Sequence, residues 1–187
     1  LGIEMELKAK VDSREAMARR VLSLGGRFVR ETAQEDIYFK HPCYDFRERD
    51  EALRLRREGK VYTLTFKGGR FGSGAKMREE IEVKVEDFGT MVTILRKAGF
   101  EESFVIKKNR QVYSLEGAQV ALDPIEGLGE FIEIEVVLDG ETKELGREAL
   151  AERLHSLAEK LQVPRERLTT ESYLEMLASE SSRSRPS

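Results

Sequence analysis

IEMELKAKV, residues 3–11, alternates without a break: Ile3, Met5, Leu7, Ala9 and Val11 are apolar, and Glu4, Glu6, Lys8 and Lys10 are charged. A period of two is that of a β-strand with one apolar and one charged face. Neighbours on the charged face stand about 6.6 Å apart, at about 3.3 Å per residue. Two carboxylates followed by two amines make either a solvated face or a site that holds a metal and an anion together.

Working outward, other stretches carry the same kind of face. ALRLRR (52–57) sets Arg54 and Arg56 opposite Leu53 and Leu55. VYTLTFK (61–67) sets Thr63, Thr65 and Lys67 opposite Tyr62, Leu64 and Phe66. MREEIEVKV (77–85) offers Arg78, Glu80, Glu82 and Lys84, and FVIKKNRQVY (104–113) offers Lys108 and Arg110. FIEIEVVL (131–138) sets Glu133 and Glu135 opposite Ile132, Ile134 and Val136. Two architectures satisfy this pattern. In an open antiparallel sheet the apolar faces meet helices and the charges face water. In a closed barrel of about eight strands the helices lie outside and the charges line the lumen. The content of the faces favours the lumen. Like charges on one face repel unless something of opposite sign lies between them. Clustered carboxylates want a divalent cation, clustered Arg and Lys want a polyanion, and a metal–polyphosphate complex meets both demands. An empty lumen of that kind would be strained, so truncating one of its arginines should leave melting unchanged or higher.

Residues 12–25 read as a helix capped by Asp12 or Ser13 and stopped by Gly25-Gly26, and residues 86–99 as a second helix ending in glycine. RFVRE (27–31), QEDIYF (34–39) and AQVALD (118–123) read as further strands. HPCYDFRERD (41–50) reads as a loop. GGRFGSGAK (68–76) lacks the spacing of a phosphate-binding glycine loop and is expected to be a flexible linker. From 142 to 162 an amphipathic helix carries Leu145, Leu150, Leu154, Leu157 and Leu161. A short helix covers 171–177. One domain is expected over 1–178, with a disordered tail at 179–187. Glu4-x-Glu6-x-Lys8 recurs as Glu80-x-Glu82-x-Lys84, each copy opening a strand followed by a helix and three more strands. The chain therefore reads as two β-α-β-β-β halves plus a helical tail.

The 187 residues are enough for one sizeable core. Charged residues make up 36%, against about 25% in typical globular chains, so many charges must be placed somewhere. A net charge of −3 argues against nucleic-acid binding through a basic surface. No apolar run reaches the roughly 20 residues of a membrane span. Cys43 is the single cysteine, which excludes an internal disulfide and fits a reducing, cytoplasmic setting, and no signal peptide is recognised. With His41 and His155 the only histidines, a metal would be oxygen-bound, which points to Mg²⁺ or Mn²⁺.

In the order of these pieces the sequence resembles the CYTH family, also called the triphosphate tunnel metalloenzymes. The hallmark is the Glu4-x-Glu6-x-Lys8 strand. It is joined by QEDIYF, ALRLR, TFKG, REEIEV, KKNR, LDPIEGLGEFIEIE (122–135) and SYLEML, over about residues 3–177. The resemblance implies an α+β fold: a closed eight-stranded antiparallel barrel with helices packed outside, whose tunnel binds a triphosphate. It implies that Lys8, Arg54, Arg56, Lys67, Arg78, Lys108 and Arg110 hold phosphate oxygens. It implies that Glu4, Glu6, Glu133 and Glu135, with Asp123, hold one or two Mg²⁺ or Mn²⁺ ions, and that Glu80 and Glu82 either orient the basic residues or share in metal binding. Lys8, Arg56, Glu4 and Glu6 are the residues expected closest to the chemistry.

The segment 35–57 is most similar to the CyaB-like branch, which implies a class IV adenylyl cyclase converting ATP to cyclic AMP and pyrophosphate. Thiamine triphosphatases and inorganic triphosphatases share the tunnel, so hydrolysis of thiamine triphosphate, tripolyphosphate or a nucleoside triphosphate is the alternative. A binding module without turnover is the second alternative, and a homodimer is left open.

Overall fold

The structure is a computed structural model and describes residues 2–71, 76–138 and 146–183. The first half of the chain forms β1 (Gly2–Val11), α1 (Arg14–Ser23), β2 (Arg27–Lys40), β3 (Ala52–Glu58) and β4 (Val61–Phe71). The second half repeats that order as β5 (Lys76–Val85), α2 (Phe88–Lys97), β6 (Glu101–Leu115), β7 (Ala118–Ile125) and β8 (Gly129–Leu138). Helix α3 (Arg147–Lys160), a 3-10 turn (Arg165–Arg167), the two-residue strand β9 (Leu168–Thr169) and α4 (Tyr173–Arg183) follow. The doubled β-α-β-β-β order is the one the repeated Glu-x-Glu-x-Lys strand predicts.

Local chemistry fixes where the two inner helices start and stop. The backbone N–H of Ala16 donates to Ser13 Oγ at 3.2 Å, and that of Thr90 to Asp87 Oδ1 at 2.6 Å. Each satisfies one of the donors that a helix N-terminus leaves open. After α1 the chain turns so tightly that a Cβ on Gly26 would come within 2.6 Å of Val21 Cγ1, so only glycine fits there.

The strands form one antiparallel sheet in the order β5-β4-β3-β2-β6-β7-β8-β1-β9, and β1 pairs in addition with β5. The closed eight-stranded barrel expected from the sequence is corrected on two points: the sheet has nine strands, and it is not closed into a complete barrel. The ninth strand lies against Lys8 and Ala9 of β1. The β1–β5 seam covers only Gly2–Glu6 against Lys76–Glu80. Because that register sets Gly2 opposite Glu80, β5 runs on from Ile81 to Val85 with no β1 residue beside it. The sheet curls around its charged face and remains open along that stretch.

The apolar parities point outward and are covered by helices. Met5, Leu7 and Ala9 of β1, Val120 and Leu122 of β7, and Ile132 and Ile134 of β8 pack with Leu150, Leu154, Leu157 and Leu161 of α3. On the opposite side Phe88, Val92 and Leu95 of α2 cover Ile37, Phe39 and Leu55. Burying each such side chain contributes about 1.5–3 kcal/mol, so the helices hold the curl from outside. A third cluster, with Tyr38, Ile106, Phe131 and Tyr173, seats the start of α4 at one end of the sheet.

Several element expectations are corrected. RFVRE and QEDIYF belong to one strand, β2. Gly68–Phe71 of the expected linker continue β4, because Arg70 and Phe71 pair with Arg78 and Met77; residues 72–75 lie outside the described residues. The described part of the long helix is Arg147–Lys160 with Gly146 at its N-cap, and residues 142–145 of the expected helix, Leu145 among them, lie outside the described residues. Helix α4 runs to Arg183, so 179–183 are helical rather than disordered, while 184–187 lie outside the described residues.

Candidate functional site

A cavity of about 220 Å³ lies inside the curl, and all eight long strands contribute walls to it. Of the residues singled out in the sequence, the structure brings together Glu6 and Lys8 of β1, Arg54 and Arg56 of β3, and Lys67 of β4. Arg78, Glu80 and Glu82 of β5, Lys108 and Arg110 of β6, and Glu133 and Glu135 of β8 complete that set. Asp123 is fully buried behind this wall and does not line the cavity. The side chain of Glu4 lies outside the described residues; its backbone pairs with Arg78 and Val137. Lys10 and Lys84 are exposed.

Sequence reasoning missed part of the wall: Arg30, Gln34, Asp36 and Tyr38 of β2, Glu58 of β3, Gln119 of β7, and Ser172, Tyr173 and Leu174 at the start of α4. The signal for the β2 residues was present. Gln34, Asp36 and Tyr38 alternate with the outward Ile37 and Phe39, which is the same parity logic applied to the other strands. Tyr173 had no such signal, because a helix start carries no parity that aims it into a sheet.

The cavity wall is a network of buried ion pairs. Arg56 grips Asp36 with two parallel bonds, Nε to Oδ1 and Nη2 to Oδ2, each 2.7 Å. Burial opposes the charge on Asp36, yet Arg56 and then Arg54 hold its carboxyl well below the usual range. Arg110 donates through Nε to Asp123 Oδ1 at 2.7 Å and through Nη2 to Asp123 Oδ2 and Glu133 Oε2. Asp123 also accepts from Lys108 Nζ at 2.9 Å and from the Tyr173 hydroxyl at 3.1 Å. Lys8 Nζ lies 3.0 Å from Glu133 and 4.1 Å over the Tyr173 ring. Lys67 pairs with Glu80, Thr65 donates to Glu82 at 2.8 Å, and Arg78 donates to the Asp50 carboxylate at 3.0 Å.

Eight basic and seven acidic side chains line the cavity, so the wall is nearly balanced by itself. The expectation of a lumen strained by like charges is therefore corrected: Arg56 and Arg110 neutralise buried carboxylates, and removing either strands a charge. Burial lowers the charge tolerance of each group, and the partners decide the outcome. Burial works against Lys8 being charged, but Glu133 and Glu6 outweigh it and raise its pKa. For Lys108 burial and then the neighbouring Arg110 win over Asp123, and its pKa is pushed down to about 8. Burial pushes Glu133 up, but Arg110, Lys8 and Lys108 bring its carboxyl well below the usual range. Glu135 goes the other way: burial, Glu133 and Glu6 together raise it.

Two features leave the wall unfinished. The buried Nε atoms of Arg54 and Arg78 and Oε1 of Gln34 lack hydrogen-bond partners among the described residues, and buried polar groups ordinarily have them. In addition, Glu6 and Glu135 stand directly opposite each other in the β1–β8 register, and both line the cavity. Facing carboxylates repel, and Glu6 adds in this way to the burial and the Glu133 charge that raise the Glu135 pKa. Among the described residues no three carboxylate, histidine or cysteine side chains group as a ready-made metal cage. A pair of carboxylates is nonetheless what Mg²⁺ commonly takes from a protein, the remaining positions going to water and substrate phosphates. Glu6 and Glu135 are thus the residues that could hold a hard divalent ion here.

Residues 2–173 match the sequence model of the CYTH domain. A protein of Methanocaldococcus jannaschii named "Putative adenylate cyclase" is 37% identical over 174 residues, covering 93% of this chain and 98% of its own length. Adenylate cyclase CyaB of Aeromonas hydrophila is 25% identical, covering 91% of this chain and 86% of its own. Among solved structures, a protein of Pyrococcus horikoshii superposes with a TM-score of 0.82 at 36% identity, covering 95% of this chain and 99% of its own. A Hippeastrum protein, described as a putative adenylyl cyclase with a dominant triphosphatase activity, shares the fold with a TM-score of 0.71 at 20% identity. It covers 96% of both chains.

Proposed function

The chain belongs to the CYTH domain family, and from that premise we propose that its cavity binds a triphosphate together with Mg²⁺ or Mn²⁺ and turns it over, with ATP converted to cyclic AMP and pyrophosphate as the first reading. The observation that carries the proposal is the meeting of Lys8, Arg54, Arg56, Lys67, Arg78, Lys108 and Arg110 with Glu6 and Glu135 around one cavity. A pure anion binder gains nothing from facing carboxylates; a metal–triphosphate complex uses both signs. The names of the Methanocaldococcus and Aeromonas relatives support the cyclase reading.

In this mechanism the chain's residues bind, orient and neutralise. Arg54 and Arg56, side by side on β3, grip phosphate oxygens in fixed fork geometry, which a lysine cannot copy. Arg56 remains braced by Asp36 while it does so. Lys8 and Lys108, seated on the Tyr173 ring, supply compact charge from the far wall. Glu6 and Glu135 would hold the divalent ion, which when bound neutralises phosphate oxygens and eases departure of the leaving phosphate. For the cyclase, the 3′-hydroxyl attacks the α-phosphorus and pyrophosphate leaves. For a triphosphatase, water attacks the terminal phosphorus and orthophosphate leaves. The Hippeastrum protein, described as having a dominant triphosphatase activity, motivates keeping hydrolysis as the second reading. Neither route needs a covalent nucleophile, since positioning and electrostatics carry phosphoryl transfer.

Turnover of ATP with Mg²⁺ or Mn²⁺, compared between the wild type and Arg56→Lys, tests the role of the fork. The substitution should lower kcat by about 10²–10³ if a preorganised contact to developing charge is lost. Wild-type kcat in Arg56→Lys would remove this residue from the mechanism.

A further inference from the structure

The second half of β5 is an edge. Ile81–Val85 pair with Phe66–Tyr62 of β4 on one side, and among the described residues no strand pairs with them on the other. Alternate backbone N–H and C=O groups of that stretch therefore point away from the sheet and offer a template for another strand. The outer face beside this edge is apolar and open: Ile81 is 46% exposed and Val83 55% exposed. Helix α2 packs over Val85 and Leu64 and leaves Ile81 and Val83 to solvent. On the inner face Glu82 and Lys84 are both exposed.

The residues of this edge identify its partner. A lysine on an edge strand ordinarily deters a foreign strand. Here Glu82 and Lys84 flank Val83 on either side, and that symmetry makes the strand complementary to itself. A second IEVKV laid antiparallel, with Val83 opposite Val83, sets Glu82 opposite Lys84 twice and Ile81 opposite Val85 twice. Every pair is then opposite in charge or apolar on both sides, and both kinds stabilise an antiparallel ladder. Sliding the copy by two residues sets Lys84 against Lys84 in one direction and Glu82 against Glu82 in the other, so one register is selected. Self-complementarity about a two-fold axis is what an isologous contact requires. We propose that β5 pairs with β5 of a second copy of this chain about an axis through Val83, joining the two sheets into one. Glu82 lines the charged cavity, so the second copy brings its Lys84 to the rim of that cavity. The pairing does not depend on what the cavity binds. A seam of Ile81–Val85 alone is smaller than the roughly 1,600 Å² of a standard interface, so the dimer should dissociate on dilution.

The test is sedimentation velocity over a dilution series on the wild type, Lys84→Glu, Glu82→Lys and an equal mixture of the two variants. Each variant alone sets like charges opposite each other twice and should stay monomeric where the wild type is dimeric. The mixture should dimerise, because each chain supplies the sign that the other lacks. Melting followed by circular dichroism checks that both variants fold. A cysteine pair keeps the test independent of them. With Cys43→Ser as background, Val83→Cys should form an inter-chain disulfide under mild oxidation, since the residue on the axis meets its own copy within bonding reach. Ile81→Cys, which faces Val85, should not. A wild type monomeric at every concentration overturns the proposal, and slow hydrogen exchange of the 81–85 amides in that monomer would assign the edge to the chain's own residues. A Lys84→Glu dimer as tight as the wild type also overturns it, as does equal cross-linking through Ile81→Cys and Val83→Cys.

Discussion

Replacing Arg110 with alanine should destabilise the fold as well as abolish turnover. Arg110 is 7% exposed and donates to Asp123, which is 0% exposed, and to Glu133, which is 6% exposed. Removing one partner from a buried ion pair typically costs about 3–5 kcal/mol, because a charge is left without compensation. Here Lys108 stays 2.9 Å from Asp123 and Lys8 stays 3.0 Å from Glu133, which holds the loss near the lower end, about 3 kcal/mol. For a chain of this size that is a fall in Tm of about 6–12 °C, read by circular dichroism at pH 7 without ligand. The pH dependence gives an independent check. Asp123 and Glu133 both have folded-state pKa values below their unfolded ones. The stability they contribute is therefore complete above the unfolded values of about 3.9 and 4.3, and is lost as pH falls through the folded values. The variant lacks most of that contribution, so the gap between it and the wild type should narrow below about pH 4. Arg110→Lys should recover part of the stability, since it restores charge but not the fork. A variant that melts within about 2 °C of the wild type at pH 7 would refute the ion network, and with it the balanced-wall account of the cavity.

Two further outcomes follow from the same wall. Lys108 loses its proton near pH 8, so kcat/KM should fall on the alkaline side with a midpoint near that value; in Lys108→Arg the midpoint should move above pH 10, and an unmoved limb assigns it to another group. Glu6→Gln and Glu135→Gln should each raise the Mg²⁺ concentration needed for half-maximal activity by about tenfold or more, as losing one carboxylate ligand from a hard-ion site does, and an unchanged metal requirement in both would detach these residues from the ion.

The strands and their inward charges were legible in the sequence because a half-buried strand writes its orientation with a period of two. Glu6 and Lys8, Arg54 and Arg56, Lys108 and Arg110, and Glu133 and Glu135 all follow from that rule, and all line one cavity. The rule does not say how much of a strand is paired. Nothing in MREEIEVKV reveals that its second half, Ile81–Val85, has no β1 residue beside it, since closure depends on register across the seam. Nor does parity tell a cavity-lining carboxylate from a bracing one. Asp123 has the composition of a metal ligand, yet Lys108, Arg110 and Tyr173 occupy its oxygens. Asp36 looked like part of an ordinary strand and proves to be the brace behind Arg56. Tyr173 enters the cavity wall from a helix start over a hundred residues from the β1 strand it meets, a placement fixed by tertiary packing on Phe131.

The central claim is that this cavity turns over a metal-bound triphosphate. It is tested most directly by following ATP, tripolyphosphate and thiamine triphosphate with ³¹P NMR, each with Mg²⁺ or Mn²⁺ and with EDTA as the control. The account predicts that ATP gives the cyclic AMP and pyrophosphate resonances only when the metal is present. Orthophosphate without cyclic AMP would contradict the cyclase reading in favour of hydrolysis, and three unchanged spectra with either metal would contradict catalysis at this site altogether.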